Sequence, residues 1–426
     1  MILMKNVIIG NKASSLALLL LIPLLFTGCI GGYDQPAVAP ESGTRASITF
    51  VAAEYSSSTK PFFENLVRDF ETRYPNIEIE LHVINWDFLD AAYSSMISRN
   101  QPPDLLLSNS YAHFAKDGLL NNIEELLSPE LKEKLYPFLF NTGKMDGVQY
   151  AVPYAATIRE LYYNKDIFED IGMEETPKTW EELENTARII MDKTEAEGFG
   201  VDFTDNEIWA YLSYFFFGAG GGWMKDGKWA INSPQNVKGL TFLKELYEKG
   251  LTDAEPAVTT RDEKQRILGN GKLGMMISGN YFESVVPKEF PGLKWAKGPI
   301  PVKEGQTPLI HGVQDVMISF KTDHTNKEAL SLFLDFLYED ARYEEFVLRE
   351  GFLPAIRTVG EKLSSNDKIM KQNIDSIMNA RFYPIDNPAW SAVRNATKSM
   401  GEAVLLGQMT PKQALDRLQQ IALNKS

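Results

Sequence analysis

The stretch Ser47-Ile-Thr-Phe-Val-Ala-Ala53 opens the segment that decides the fold. It is a short apolar run typical of a buried strand, and Lys60 to Tyr74 then places apolar residues at helical spacing. Pro75 ends that predicted helix. The next run, Ile77-Glu-Ile-Glu-Leu-His-Val83, alternates apolar and polar residues with period two, which predicts a second strand.

The same order of elements continues downstream. A helix is expected around Leu89 to Ile97, followed by the short apolar strand Asp104-Leu-Leu-Leu107. Further core strands are predicted at 272–277 and 315–320. Strands that alternate with helices in this way indicate an α/β fold, with mostly parallel sheets flanked by helices.

Three helix starts carry a capping-box pattern, in which a Thr is followed three residues later by Glu or Gln. They are Thr179-Trp-Glu-Glu182, Thr325-Asn-Lys-Glu328 and Thr410-Pro-Lys-Gln413. The chain has 426 residues, which exceeds what one hydrophobic core usually supports, so we expect two lobes.

The first 28 residues resemble an export signal. Lys5 and Lys12 precede an apolar run from Leu16 to Phe26, which is shorter than the roughly 20 residues that span a membrane. The exit Phe26-Thr27-Gly28-Cys29 resembles the lipobox of exported lipoproteins, which implies that Cys29 is acylated and begins the mature chain. A signal followed by an unmodified thiol is the alternative. Cys29 is the single cysteine of the chain, so no intrachain disulfide can form.

Residues 29–46 are predicted to be a flexible tether, because Gly31 to Thr44 is rich in Gly, Pro, Ser and Ala. We therefore expect a lipid-anchored protein on the extracytoplasmic face of the cell membrane. The net charge of −14 argues against nucleic acid as a partner.

Signals of catalysis or metal binding are weak. The four histidines (82, 113, 311 and 324) are scattered, with no HExxH spacing. No GxSxG elbow occurs, and Gly269-Asn-Gly-Lys272 lacks the spacing of a phosphate-binding loop. We predict no catalytic residue, no metal and no cofactor, although a pair of glycosidase carboxylates stays open as an alternative.

Aromatic residues follow predicted strands and loops at four places: Trp86, Trp223, Tyr281 and Trp390. Ligands of open α/β sheets bind outside the carboxyl ends of the strands. Aromatic faces at such positions suit the C–H surface of a sugar ring, and together they favour a carbohydrate cleft. Each of them taken singly is also compatible with ordinary packing.

Several motifs, in this order and spacing, resemble the extracellular solute-binding proteins (family 1) of ATP-binding-cassette importers, the group of maltose- and oligosaccharide-binding proteins. The resemblance runs from about Ile48 to the C-terminus. The motifs are Pro103-Asp-Leu-Leu-Leu107, Tyr150-Ala-Val-Pro-Tyr154, Leu161-Tyr-Tyr-Asn-Lys-Asp-Ile-Phe168, Pro177-Lys-Thr-Trp-Glu-Glu-Leu183, the Gly218–Trp223 loop with its Lys225–Lys228 hairpin, Gly351-Phe-Leu-Pro354 and Gly407–Leu415.

The resemblance implies a type II periplasmic-binding-protein-like fold with a hinge and a ligand cleft between two lobes. The N-terminal lobe would comprise 47–152 and 312–365, and the C-terminal lobe 153–311 and 366–426. The ligand-binding residues that it implies are Glu54, Ser108, Asn109, Tyr154, Thr157, Tyr281, Gln314 and Trp390, and the aromatic pattern adds Trp86 and Trp223. Arg159 is expected to form a hinge-side ion pair, with ligand contact as the alternative.

The function that follows is capture of a sugar or oligosaccharide without turnover, by a monomer that delivers it to the membrane permease of the importer. The alternatives are a polyamine, an anion or iron on the same scaffold, or a surface polysaccharide hydrolase. Tyr162 and Tyr163 could suggest iron, but adjacent residues of a strand point to opposite faces.

Overall fold

The computed structural model describes residues 45–425, so the predicted signal peptide, Cys29 and most of the tether lie outside the described residues. Ala46, the last residue of the expected tether, already begins the first strand. The strands are β1 (Ala46–Glu54), β2 (Ile77–Asn85), β3 (Leu105–Ser108), β4 (Lys144–Met145), β5 (Val148–Gln149), β6 (Ala151–Asn164), β7 (Glu197–Gly200), β8 (Met224–Lys225), β9 (Lys228–Trp229), β10 (Leu273–Gly279), β11 (Trp295–Gly298) and β12 (His311–Ser319).

The helices lie between these strands and after β12. They are α1 (Thr59–Arg73), α2 (Trp86–Ser98), α3 (Ala112–Lys116), α4 (Pro129–Lys134), α5 (Pro137–Phe140), α6 (Lys165–Ile171), α7 (Trp180–Lys193), α8 (Ile208–Gly218), α9 (Pro234–Glu248), α10 (Arg261–Gly269), α11 (Phe282–Glu289), α12 (Lys327–Leu337), α13 (Asp340–Glu350), α14 (Arg357–Asn366), α15 (Lys368–Ile377), α16 (Trp390–Leu405) and α17 (Pro411–Lys425). The predicted α/β order of the first five elements is therefore confirmed.

One large sheet runs through the molecule in the order β2-β1-β3-β12-β6-β10-β7, with β11 paired to β6. β1 pairs in parallel with β2 and β3, and β10 pairs in parallel with β7. The long strands β6 and β12 run antiparallel to each other and to their other neighbours. These two strands therefore join a parallel group at one end of the sheet to a second group at the other end.

The two faces of β6 pack into different parts of the core. Tyr162 is buried with Phe282 and Met276, whereas Tyr163 lies in another apolar cluster, against Phe168. The prediction that Tyr162 and Tyr163 point to opposite faces is confirmed, so the pair cannot jointly hold a metal.

Two of the three predicted capping boxes are confirmed. The Thr179 hydroxyl accepts from the Glu182 amide while the Glu182 carboxylate accepts from the Thr179 amide, and Thr410 and Gln413 exchange the same pair of bonds. The prediction of a capping box at Thr325 is wrong, because Asn326 caps α12 and its side chain accepts a hydrogen bond from the Ala329 amide. Thr325 instead accepts from the Thr322 amide in the preceding turn.

The predicted hairpin at 225–228 is also confirmed, since β8 and β9 pair across a two-residue turn. Asp226 and Gly227 both have positive φ there, at 50° and 73°. Two consecutive positive φ values are typical of the type I′ turn that suits the twist of a hairpin.

Candidate functional site

A cavity of about 140 Å³ lies where the crossing strands β6 and β12 meet the ends of β1 and β3. We call it the central cavity. Thr157 and Arg159 of β6 and Asp315 of β12 form its floor, because alternate residues of these strands face it. Its walls come from loops and helices and include Tyr55, Trp86, Asn109, Glu207, Trp209, Arg261, Tyr281, Phe352 and Arg394.

Aromatic rings make up much of the wall. Tyr55 packs edge-on against Trp86, with ring centroids 5.7 Å apart, and against Phe352 at 4.7 Å. Tyr281 also packs edge-on against Phe352, with ring centroids 6.2 Å apart. Trp209 also lines the cavity. These rings offer flat apolar faces while their neighbours supply polar groups.

Two guanidinium groups and one carboxylate form an ion-pair cluster beside Tyr281. Arg261 donates to Glu207 at 2.6 Å, whereas Arg159 lies 3.5 Å from the same carboxylate oxygen. Arg261 is also held by Asp262, through Nε at 3.0 Å and Nη2 at 2.9 Å. The centres of both guanidiniums lie within 5.5 Å of the Tyr281 ring centroid, which is cation–π distance.

Asp315 is a buried acid on the cavity floor. Its Oδ2 accepts a hydrogen bond of 2.9 Å from the Tyr55 hydroxyl. Burial raises the pKa of Asp315 to about 7, although the Tyr55 hydrogen bond and the positive charges of Arg159, Arg394 and Arg261 act in the opposite direction. The carboxyl therefore changes its charge near neutral pH.

Arg394 of α16 connects the two sides of the cavity. Its Nη1 donates to Asn109 Oδ1 at 2.8 Å and lies 3.6 Å from Asp90 of α2. Its guanidinium centre also lies 5.4 Å from the Trp209 ring centroid. This contact ties the end of β3 to the C-terminal helices.

Several buried polar atoms around the central cavity have no hydrogen-bond partner among residues 45–425. All belong to groups that can donate: Arg159 Nε and Nη1, Thr157 Oγ1, Trp209 Nε1, Tyr281 Oη and Arg394 Nε. An unpaired buried donor costs about 1–3 kcal/mol, and more when it is charged. A ligand that presents acceptors to the cavity would remove that cost.

The structure brings together some of the site residues expected from sequence. Trp86, Asn109, Thr157 and Tyr281 line the central cavity. Gln314 and Trp390 lie beside it and line a smaller pocket that they share with Asn109, Trp209 and Arg394. Gln314 also donates to the Thr142 hydroxyl.

Tyr154, Trp223, Ser108 and Glu54 lie elsewhere. Tyr154 faces the opposite side of β6 from Thr157, in an aromatic cluster with Tyr338 and Tyr343, and the Trp223 indole donates to Ser213 at 2.6 Å against the ring of Trp390. Ser108, the last residue of β3, is buried and accepts a hydrogen bond from the Ser110 amide. Glu54 borders an open groove next to the cavity. We do not carry these four residues into the proposed site.

The residues that sequence reasoning did not place are Tyr55, Glu207, Trp209, Arg261, Asp315, Phe352 and Arg394. Arg159 does form the expected ion pair, with Glu207, but it also lines the cavity. Glu207 and Trp209 flank the first residue of α8, and Arg261 is the first residue of α10. Position at a helix start was the available signal for these three, but it does not say which part of the fold they face.

The chain matches the family model described as bacterial extracellular solute-binding protein over residues 55–342, about two thirds of its length. The protein therefore belongs to the bacterial extracellular solute-binding proteins. Members of this family are binding proteins rather than enzymes, and membership places the protein on the extracytoplasmic side of the membrane.

Individual relatives agree with this membership. A binding protein of Brucella abortus is 28% identical over 395 residues, which is 91% of this chain and 95% of that protein. The maltotriose-binding protein of Pyrococcus abyssi is 24% identical over 351 residues, covering 78% and 73% of the two chains.

Among solved structures, a solute-binding protein of Thermotoga lettingae bound with α-D-tagatose superposes with a TM-score of 0.78 at 22% identity, over 88% of this chain and 100% of that one. The expected two-lobed periplasmic-binding-protein-like fold is thereby confirmed. The exact lobe boundaries stay a prediction.

Within residues 45–425, no helix is both long enough and apolar enough to cross a membrane. The same part of the chain holds no group of three or more His, Cys, Asp or Glu side chains arranged to bind a metal ion.

Proposed function

We propose that this protein captures a sugar or oligosaccharide in the central cavity and delivers it to the membrane permease of an ATP-binding-cassette importer. The observation that carries the proposal is the combination of aromatic walls at Tyr55, Trp86, Trp209 and Tyr281 with unpaired donors on the same surface. Aromatic faces bind the C–H surfaces of a sugar ring, while the donors take up its oxygens.

The names of related proteins support the proposal that the ligand is a saccharide. Relatives include proteins named for binding maltotriose and diacetylchitobiose, and a structural neighbour holds tagatose. These ligands are chemically diverse, so they support saccharides as a class rather than one compound.

Binding without turnover would proceed by closure of the two lobes. We propose lobes of 47–152 with 312–365 and of 153–311 with 366–426, because β6 and β12 then cross between them beneath the cavity. A ligand that contacts both lobes only in the closed form shifts the population toward that form. The closed monomer would then dock on the permease.

We further propose that Cys29 is acylated and that residues 29–46 tether the globular part to the membrane. The support is the sequence resemblance to a lipobox, since these residues precede most of the described part of the chain. Mass spectrometry of the mature N-terminus tests this: a diacylated or triacylated Cys29 supports the anchor, and an unmodified Cys29 contradicts it.

Titration calorimetry with a panel of saccharides tests the sugar proposal, together with native mass spectrometry of any ligand retained through purification. We expect one saccharide class to bind, and Trp86→Ala to weaken it roughly threefold to tenfold, because ring stacking contributes about 0.5–1.5 kcal/mol beyond burial.

Trp295→Ala is the matched control, since Trp295 is also half-buried but packs against Tyr162 outside the central cavity. It should leave affinity unchanged. Shortened saccharide products would instead identify a hydrolase, and the absence of any saccharide binding would contradict the proposal.

A further inference from the structure

We infer that the saccharide bound in the central cavity is an acidic one, whose single carboxylate is held by Arg159. The inference rests on the proposed sugar-binding function and names the chemical class of the sugar. It follows from how the charges and donors of the cavity are shared among Arg159, Arg261, Glu207 and Asp315.

Arg159 is a buried cation, and the carboxylate that it faces is bound more closely by another arginine. Its side chain is 5% exposed, and its one ion-pair partner among the described residues, Glu207, lies at 3.5 Å. The same Glu207 oxygen accepts from Arg261 at 2.6 Å. Arg261 has two carboxylate partners, because Asp262 also binds it. The guanidinium of Arg159 is thus the less compensated of the two.

The hydrogen-bonding capacity of Arg159 is also unused. Its Nε and Nη1 find no acceptor within the described residues, although Arg159 lines the central cavity. A carboxylate can accept two parallel hydrogen bonds from one guanidinium, and charge-assisted bonds of this kind are roughly twice as strong as neutral ones. A sugar hydroxyl could accept one such bond but would add no negative charge opposite the guanidinium.

The neighbouring groups favour an acceptor-rich ligand in the same place. Thr157 lies two residues before Arg159 on β6, and its hydroxyl is unpaired, as is the hydroxyl of Tyr281, whose ring adjoins the Arg159 guanidinium. Trp209 adds an unpaired indole N–H, a group that can only donate. A carboxylate and the hydroxyls next to it on a sugar ring offer acceptors to all of them.

Asp315 limits how much negative charge the site accepts. It lies on the floor of the cavity, where the Tyr55 hydroxyl donates a hydrogen bond to one of its oxygens. An ionised Asp315 repels a negatively charged ligand, and it repels a dianionic phosphate more strongly than a singly charged carboxylate. A dianionic phosphate therefore fits the cavity less well than the carboxylate. The geometry therefore points to a uronate-type sugar rather than a sugar phosphate.

Calorimetry at pH 8 with matched ligands tests the inference: galactose against galacturonate, glucose against glucuronate and glucose 6-phosphate, and the corresponding disaccharides. We expect an acidic sugar to bind at least tenfold more tightly than its neutral parent. Arg159→Met should abolish that preference, and it keeps Glu207 paired with Arg261.

Arg188→Met is the matched control, because Arg188 is an exposed arginine paired with Glu184 at 2.6 Å outside the cavity. It should keep the preference. Asp315→Asn provides a test that does not depend on removing Arg159, and it should tighten binding of the acidic sugar while changing the neutral one little.

The outcomes are distinct. Neutral sugars that bind as tightly as uronates overturn the inference and leave the proposed function standing. Tighter binding of the sugar phosphate overturns the choice of a carboxylate. If no saccharide of either kind binds and none is retained on purification, the proposed function fails and the inference fails with it.

Discussion

The Asp315 carboxyl shows how a single buried group can make stability depend on pH. Its pKa is raised to about 7 by burial in the folded chain, whereas an unfolded Asp titrates near 3.9. Between about pH 4 and pH 7 the folded state therefore keeps a proton that the unfolded state has released. Stability consequently falls as pH rises through that window, by at most about 1.4 kcal/mol per pH unit from this group.

We predict that Asp315→Asn removes this part of the pH dependence, because an amide resembles the protonated acid. The variant should match the wild type near pH 4.5 and be more stable at pH 8, as measured by urea unfolding without ligand. Asp202 and Asp253, whose pKa values burial also raises to about 6, are unchanged in both proteins, so the difference isolates Asp315. Parallel stability curves for the two proteins would contradict the raised pKa of Asp315.

At the scale of the residue, residue type and strand position together predicted part of the lining of the candidate site. Trp86, Asn109 and Tyr281 follow strands or begin helices near the crossing strands, and they line the cavity as expected. Tyr154 does not, because the period-two alternation of β6 sends it to the core while Thr157 faces the cavity. The alternation is visible in sequence, but which set faces the cavity depends on how β6 pairs with β12.

The close approach of β10 to β6 determines where the Arg159 side chain can lie. Gly279 ends β10 opposite Arg159 of β6, and a Cβ built on Gly279 would overlap Arg159 Nη1 and the Tyr281 ring. Glycine therefore leaves the space that these two side chains occupy beside the cavity.

We predict that Gly279→Ala displaces Arg159 and Tyr281, lowering the free energy of unfolding by about 1–3 kcal/mol through overpacking and weakening ligand binding at least tenfold. Urea unfolding and calorimetry measure the two effects. Gly292→Ala is the matched control, since a Cβ there meets no atom within 4 Å. A Gly279→Ala protein with wild-type affinity would show that the position of Arg159 does not matter for binding.

Elements were more predictable from sequence than the site, because helix and strand signals are local. Thr179 and Thr410 begin helices as the capping pattern indicates. Thr325 fails because Asn326, one residue later, is an equally good cap and α12 begins after it. The helix start at Arg261 does carry this local signal, because Thr260 and Glu263 form a capping box, but the signal does not say that Arg261 faces the cavity. Glu207 makes no side-chain cap at the start of α8, so no such signal marks its position.

At the scale of the whole molecule, the contacts across the central cavity bear on closure. Besides the Arg394–Asn109 bond, Asn206 donates to Asp87 in the first turn of α2. Under the proposed division, Asp87 belongs to the N-terminal lobe and Asn206 to the C-terminal lobe. In that division, a contact of this kind would stabilise the closed form without touching the ligand, and apparent affinity scales with the closed fraction.

We therefore predict that Asp87→Ala weakens binding of every ligand by the same factor, up to about tenfold, because it lowers the closed fraction. Arg159→Met should instead change the ranking of acidic and neutral sugars. Calorimetry with both ligand types separates these effects, and X-ray scattering should show a larger unliganded Asp87→Ala protein. Asp170→Ala, at an exposed carboxylate of α6, is the control. An Asp87→Ala effect confined to acidic sugars would mean that Asp87 acts through the ligand's charge, and no change in affinity or size would mean that this contact does not stabilise closure.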